Sequence, residues 1–231
     1  MSVVALVPAA GEGRRLGAGK PKAFVEIAGV ALVARAVRGL LESGCVDSVV
    51  VAAPVADVSA MRAVLADLDP VEVVAGGADR VESVALALDA ALNRYPGIEF
   101  VLVHDAARAF TPTVVPQAVV RALKDGARAV IPVLPMADTV KQVDAGGRVA
   151  GTPNRADLRI VQTPQGFTVD MLRRAHSTAA EAGVITDDAG LVEYLGEPVD
   201  TVPGHAWALK VTTPVDVMIA ERILAVEEPP A

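Results

Sequence analysis

Short runs of Val, Leu and Ala alternate along the chain with longer segments in which apolar residues recur every three or four positions among Arg, Asp and Glu. The runs at 3–7, 46–53, 71–75, 100–104 and 129–133 read as strands. The segments between them, 31–41, 58–68, 80–95 and 114–124, carry the helical period. Strand and helix taken in turn predict an α/β fold with a mostly parallel, doubly wound sheet. Ligands of such sheets gather beyond the carboxyl ends of the strands, so the loops after Val7, Ala53, Ala75, His104 and Leu134 form the candidate rim.

The alternation breaks over 138–162. Thr139-Val-Lys-Gln-Val-Asp144 and Arg148-Val-Ala150 flank Ala145-Gly-Gly147, a hairpin signal with no helix after it. A hairpin projecting from a parallel sheet leaves edges and apolar side chains uncovered, which invites a partner subunit. Beyond it the pattern predicts helices over 169–182 and 187–195, a strand at 209–211 and a closing helix over 214–225 opened by Pro214. The last residues, from Glu227, read as a frayed tail.

Composition narrows the class. A length of 231 residues, 52% of them hydrophobic and few aromatic, suits one Val-rich parallel sheet covered by Ala-rich helices. The net charge of -7 argues against a general nucleic-acid coat, so the placement of the cations matters more than their sum. Cys45 is the single cysteine, which excludes an internal disulfide and fits a reducing, cytoplasmic compartment. The opening residues read as a first strand rather than a signal peptide, and no stretch approaches the roughly 18 apolar residues that span a bilayer.

The densest chemistry lies in Pro8-Ala-Ala-Gly-Glu-Gly-Arg-Arg-Leu-Gly-Ala-Gly-Lys-Pro-Lys22, directly after the first strand. Small residues at Ala9, Ala10, Gly11 and Gly13 let backbone N–H groups approach a phosphate chain, and Arg14, Arg15, Lys20 and Lys22 supply charge. A P-loop does not fit, because Gly19-Lys20 runs into Pro21 and position 14 is Arg. A dinucleotide fingerprint does not fit either: Gly17 comes one residue late and no acidic residue ends the second strand near Ala53. The bland alternative is a basic surface loop.

Pro-Ala-Ala-Gly-x-Gly-x-Arg followed by Pro-Lys resembles the opening of nucleotide-sugar-type nucleotidyltransferases. The form Ala9-Ala-Gly-Glu-Gly-Arg-Arg-Leu16 resembles the 2-C-methyl-D-erythritol 4-phosphate cytidylyltransferase family. Six further blocks follow in that family's order: Gly76-Gly-Ala-Asp-Arg-Val-Glu-Ser-Val84, Val103-His-Asp-Ala-Ala-Arg108, Ala137-Asp-Thr-Val-Lys141, Thr163-Pro-Gln165, Thr186-Asp-Asp-Ala189 and Leu209-Lys-Val-Thr212. The resemblance implies a mixed, Rossmann-like nucleotidyltransferase sheet across one domain of residues 1–231, with 138–162 as a β-arm that makes a homodimer. It also implies a step of the non-mevalonate isoprenoid pathway: a phosphate oxygen of the alcohol phosphate attacks the α-phosphorus of CTP and pyrophosphate leaves.

Within that reading Arg15 and Lys22 stabilise the pentacoordinate α-phosphate, while Ala9, Ala10, Gly11, Gly13 and Ala106 line the nucleotide. Gly77 and Ser83 read the cytosine edge; Ser83 alternatively bonds its own helix backbone. Asp105, at the end of its strand, is assigned to substrate and to Mg2+; its bland reading is a helix cap. Arg108 faces phosphate or substrate. Lys210 and Arg155 hold the methylerythritol phosphate, Thr139 contacts it, and Arg155 and Thr163 reach in from the neighbouring subunit. Asp187 and Asp188 read as caps of the helix beginning there. Two departures from the family pattern are Ala208, where Asn is frequent, and Ala109, where Pro is frequent. The competing readings are a ribitol 5-phosphate cytidylyltransferase and a non-catalytic nucleotide-binding scaffold.

Overall fold

The computed structural model describes residues 2–11, 21–183 and 185–227. Arg14, Arg15, Gly13 and Lys20, all singled out above, lie outside the described residues.

The strands are β1 (Ser2–Pro8), β2 (Glu26–Ile27), β3 (Val30–Ala31), β4 (Ser48–Ala53), β5 (Val71–Ala75), β6 (Ile98–Val103), β7 (Ala129–Pro135), β8 (Gln142–Val143), β9 (Val149–Gly151), β10 (Arg159–Val161), β11 (Gln165–Thr168) and β12 (Asp200–Pro203). The α-helices are α1 (Leu32–Glu42), α2 (Val58–Val64), α3 (Arg80–Arg94), α4 (Val114–Lys124), α5 (Val169–Ser177), α6 (Asp188–Tyr194) and α7 (Pro214–Glu227). The main sheet has eight strands in the order β10-β7-β11-β6-β1-β4-β5, with β12 also paired to β7. β1 pairs in parallel with both β4 and β6, and β4 with β5, so the order reverses at β1. That reversal opens a crevice beyond the ends of β1 and β6.

Both sheet faces are covered, which is why β1 and β4 are apolar at nearly every position. On one face Val3, Ala5, Val7, Val49 and Val51 pack with Val33, Val37, Met61, Val119 and Leu123 from α1, α2 and α4. On the other, Val4, Leu6, Val50, Val101 and Val103 pack with residues of α3, α5 and α6 such as Leu88, Met171 and Leu191. A third cluster joins α7, through Ala220 and Ile223, to Ile27, Leu32, Phe110 and Val211. Ala109 lies inside that third cluster.

Three expectations need correction. Residues 209–211 form no strand; Val211 N–H donates once to the Ala107 carbonyl at 2.9 Å, and the strand of this region is β12, parallel to β7. β12 was hidden because its residues are mostly exposed, leaving no apolar run. The stretch 138–162 is not all arm: β8 and β9 form a separate hairpin, whereas β10 pairs antiparallel with β7 in the main sheet. β11, which the pattern did not reveal, inserts antiparallel between β6 and β7. Gln165 and Gly166 break its apolar signal. The buried Gln165 side chain is satisfied by Asp187 Oδ2 at 2.7 Å and the Ala189 N–H at 3.1 Å.

The hairpin turn forms where the glycines stand. Asp144 Oδ1 accepts from the N–H groups of Gly146 and Arg148, both at 2.9 Å, and Gly147 takes φ 76°, which a residue without Cβ adopts freely. Val143 and Val149 on this hairpin are exposed, as is Ile160 beside it.

Candidate active site

The crevice at the sheet's reversal point is lined by Ala9, Ala10 and Gly11 after β1, Lys22, Gly77 and Ser83 after β5, Asp105 and Ala106 after β6, and Lys210. Arg80 completes its wall. The local sequence builds each side. Ala9 N–H donates to the Ala52 carbonyl at 2.8 Å and Gly76 N–H to Ala53 at 2.7 Å, stapling the loops to the neighbouring strand ends. Gly76 must be small: a Cβ there would lie 2.9 Å from Ala10 Cβ and 3.2 Å from the Ala53 carbonyl oxygen.

Ser83 bonds the backbone of its own helix and also holds the glycine loop. Its hydroxyl donates to the Asp79 carbonyl at 2.7 Å, inside the first turn of α3, and accepts from the Gly77 N–H at 3.1 Å. Asp79 caps α3 by accepting from the Glu82 N–H at 2.8 Å, and Glu82 accepts from the Ala78 N–H at 2.6 Å. The glycine loop is thereby tied to the helix that follows it.

Asp105 sits at the centre of a cationic ring. Lys210 Nζ lies 2.7 Å from its Oδ2, Arg80 Nε 3.6 Å from its Oδ1 and Arg108 Nε 3.9 Å from its Oδ2. Burial alone would raise the Asp105 carboxyl, but Lys210, Arg80 and then Arg108 outweigh it and bring it down to about 2. The helix-cap reading of Asp105 finds no support, since its carboxylate faces these cations. Arg108 is itself fixed by donating to the carbonyls of Ala208 at 2.7 Å and Val161 at 3.1 Å. The backbone oxygen of Ala208 is thus one of the two anchors of Arg108, and the Ala208 side chain is fully buried.

Behind the ring, Thr163 Oγ1 accepts from the Asp105 N–H at 3.0 Å and bonds His104 Nδ1 at 2.9 Å. Burial lowers His104 to about 4, with opposing effects from Asp105 and Arg108, so its imidazole is neutral. Thr163 is buried against its own chain's Asp105; the expectation that it reaches into a neighbouring subunit is overturned. Its role is to set the backbone that carries Asp105.

The structure brings together Ala9, Ala10, Gly11, Lys22, Gly77, Ser83, Asp105, Ala106 and Lys210, with Arg108 and Thr163 directly behind. It does not bring Thr139 and Arg155 to this crevice. Both are exposed near the hairpin, and Arg155 donates to the Ala137 carbonyl at 2.8 Å.

Sequence reasoning passed over Arg80 and misread Asp188. Arg80 Nη1 lies 2.7 Å from Asp188 Oδ2, and Asp188, fully buried, meets His176 Nε2 at 2.9 Å through its other oxygen. Asp187 is the cap of α6, accepting from the Gly190 N–H at 3.1 Å. The signal for Asp188 was the doubled Asp: one carboxylate suffices for a cap, leaving the second to be explained.

Among the described residues no group of three His, Cys, Asp or Glu side chains is placed to hold a metal ion. Among the described residues two carboxylates line the crevice: Asp79 caps α3, and the charge of Asp105 is already countered by three cations. These donors fit a divalent ion that arrives on phosphate oxygens better than one held by the protein alone.

The chain matches the family model described as IspD, 2-C-methyl-D-erythritol 4-phosphate cytidylyltransferase, over residues 3–226. It is 60% identical over 226 residues to the protein of that name from Saccharopolyspora erythraea, covering 97% of this chain and 100% of the relative. A Rhodococcus opacus relative of the same name is 54% identical over 96% of this chain and 95% of its own. Among solved structures, the 2-C-methyl-D-erythritol 4-phosphate cytidylyltransferase of Thermus thermophilus aligns with a TM-score of 0.77 at 35% identity, covering 97% of this chain and 100% of that one. The 4-diphosphocytidyl-2C-methyl-D-erythritol synthase of Anaerococcus prevotii aligns with a TM-score of 0.84 at 27% identity, covering 97% and 98%.

Proposed function

The chain belongs to the 2-C-methyl-D-erythritol 4-phosphate cytidylyltransferase family, and on that premise we propose that its crevice joins 2-C-methyl-D-erythritol 4-phosphate to CMP drawn from CTP. The products are 4-diphosphocytidyl-2-C-methyl-D-erythritol and pyrophosphate, and the step belongs to the non-mevalonate isoprenoid pathway. The observation that carries this reading is the crevice itself. A small-residue loop and Lys22 flank one end, Gly77 and Ser83 another, and Asp105 with Lys210 the third.

In this reading the triphosphate lies along Ala9, Ala10 and Gly11, where the backbone beyond Ala9, whose own N–H is bonded to Ala52, and the cations of the basic loop meet it. Gly77 and Ser83 face the cytosine edge, and Ala106 leaves room beside the sugar. An oxygen of the alcohol phosphate forms a bond to the α-phosphorus as the bond to the pyrophosphate oxygen breaks, and the pyrophosphate departs with that electron pair. The nucleophile is already an anion, so no general base is required. Catalysis consists of bringing two polyanions together and countering the charge that grows on the α-phosphate. Lys22 and Arg15 serve that charge, the latter on the strength of its motif.

Lys210 holds the alcohol phosphate, and Asp105 orients its hydroxyls, with Arg108 keeping Asp105 in place. Mg2+ would draw its ligands chiefly from the triphosphate, with Asp105 offering at most one oxygen, and would supply further countercharge. The β8–β9 hairpin pairs two copies into a homodimer that carries Thr139 and Arg155 of one chain to the other's alcohol phosphate. Exposed Val143, Val149 and Ile160 support this, as does the fact that Arg155 does not line its own chain's crevice. Among the described residues no helix is long and apolar enough to cross a membrane. The cytoplasm is the proposed compartment, in keeping with the single, partly buried Cys45 thiol. Mass spectrometry of the product formed from CTP, the alcohol phosphate and magnesium tests the reading. A diphosphate linking cytidine to methylerythritol is expected, and CTP bound without any new diphosphate would overturn it.

A further inference from the structure

Arg80 is the crevice cation to which the chemistry above gives no task. It opens α3, directly after the loop of Gly76 and Gly77, and its guanidinium spans two carboxylates from distant parts of the chain. Nε faces Asp105 Oδ1 at 3.6 Å, and Nη1 makes a close ion contact with Asp188 Oδ2 at 2.7 Å, outside good hydrogen-bond alignment. Asp188 is held in turn by His176 of α5. The four groups form a line from the outer helices to the crevice.

The two sides of Asp105 differ in what secures them. On Oδ2 stands Lys210, a flexible ammonium whose side chain is 43% exposed. On Oδ1 stands Arg80, tied by a fully buried carboxylate. An arriving phosphate dianion attracts Lys210 more strongly than a carboxylate monoanion does. When Lys210 turns to it, Asp105 loses its closest cation, and a carboxylate this buried is costly to leave unpaired. Arg108 stays near, with Nε 3.9 Å from Oδ2, but the bonds of its Nη1 and Nη2 to the carbonyls of Ala208 and Val161 hold the guanidinium at that distance, beyond hydrogen-bond reach of the carboxylate.

We propose that Arg80, anchored by Asp188 and His176, is a positioning residue that holds Asp105 in place when Lys210 passes to the alcohol phosphate. The inference rests on the reading above, in which Lys210 binds that phosphate. It also makes α5 and α6, which lie outside the crevice, part of what sets substrate affinity.

The test is steady-state kinetics of the full chain and of Arg80→Gln, Asp188→Asn and the double variant, with each substrate varied in turn. Arg80→Gln should lower kcat/KM for methylerythritol phosphate by about 10- to 100-fold, the scale of one lost charged contact, mostly through KM. The KM for CTP should stay within about threefold. Asp188→Asn should act in the same direction and less. The double variant should be no worse than Arg80→Gln, because both changes cut the same line. Should Arg80→Gln leave Asp188 too poorly paired to fold, the double variant, neutral at both positions, carries the comparison. Wild-type efficiency in the Arg80 variants, a loss expressed equally in the KM for CTP, or singles that multiply in the double would each overturn the inference while leaving the function intact. Absence of turnover in the unmutated chain would instead remove the functional reading, and this inference with it.

Discussion

Asp105 gives the sharpest physical prediction, because its surroundings fix both its charge and the pH window over which that charge matters. Its carboxyl is held at about 2, against an ordinary 3.8, because burial, which would raise it, is outweighed by Lys210 and Arg80. A group whose folded value is depressed stabilises the fold above its unfolded value, and that stability is lost as pH falls through the folded value. At ~1.36 kcal/mol per pH unit the gap is worth about 2 kcal/mol above pH 5, of which about 1.5 kcal/mol is gone by pH 2.5. Asp105→Asn has no such titration. Urea unfolding of both proteins at pH 5.5, 3.5 and 2.5 should therefore show the advantage of the native residue shrinking by about 1.5 kcal/mol towards acid. An advantage that stays constant, or grows as pH falls, would refute the assignment of Lys210 and Arg80 as the partners that keep Asp105 ionised.

Other predictions follow from packing and from the proposed dimer. Gly76→Ala places a methyl against Ala10 and the Ala53 carbonyl, and should raise the KM for CTP about tenfold, with loss of about 1–3 kcal/mol of stability in the same urea assay. Gly166→Ala drives a methyl into Val119, Leu123 and Leu102, where α4 packs on β11. It should cost a similar 1–3 kcal/mol and lower Tm by roughly 3–10 °C in scanning calorimetry, while kcat and both KM values hold. Lys22→Ala and Arg155→Ala should each be nearly inactive, yet co-expressed chains should recover about a quarter of native turnover, because half of the dimers are mixed and each mixed dimer keeps one intact site. No recovery would place Arg155 outside the partner's site.

The sequence disclosed the parts of this molecule whose physics is local. β1 is a continuous apolar run buried on the sheet, β5 keeps three Val around Glu72, and α4 repeats its period without interruption, so each is found within a residue or so of where the pattern sets it. The two described ends of the glycine-rich loop, Ala9 to Gly11 and Lys22, line the crevice that the pattern sets at the strand ends. β11 and β12 were not legible. One hides a buried Gln and a Gly whose missing side chain admits α4, and the other is an edge strand that buries little. The reading of 209–211 as a strand failed because apolar residues there serve the cluster under α7 instead of a ladder. Arg80 was passed over because its meaning depends on Asp105 and Asp188, which only the fold brings to it.

The central claim is the reaction, and the measurement that reaches it most directly is pyrophosphate release with CTP and magnesium, comparing methylerythritol 4-phosphate with ribitol 5-phosphate and repeating the better substrate with Lys22→Ala. The account predicts release with methylerythritol phosphate, falling on the order of 100-fold or more in the variant. Release with ribitol phosphate alone would contradict the substrate, and no release with either would contradict the chemistry.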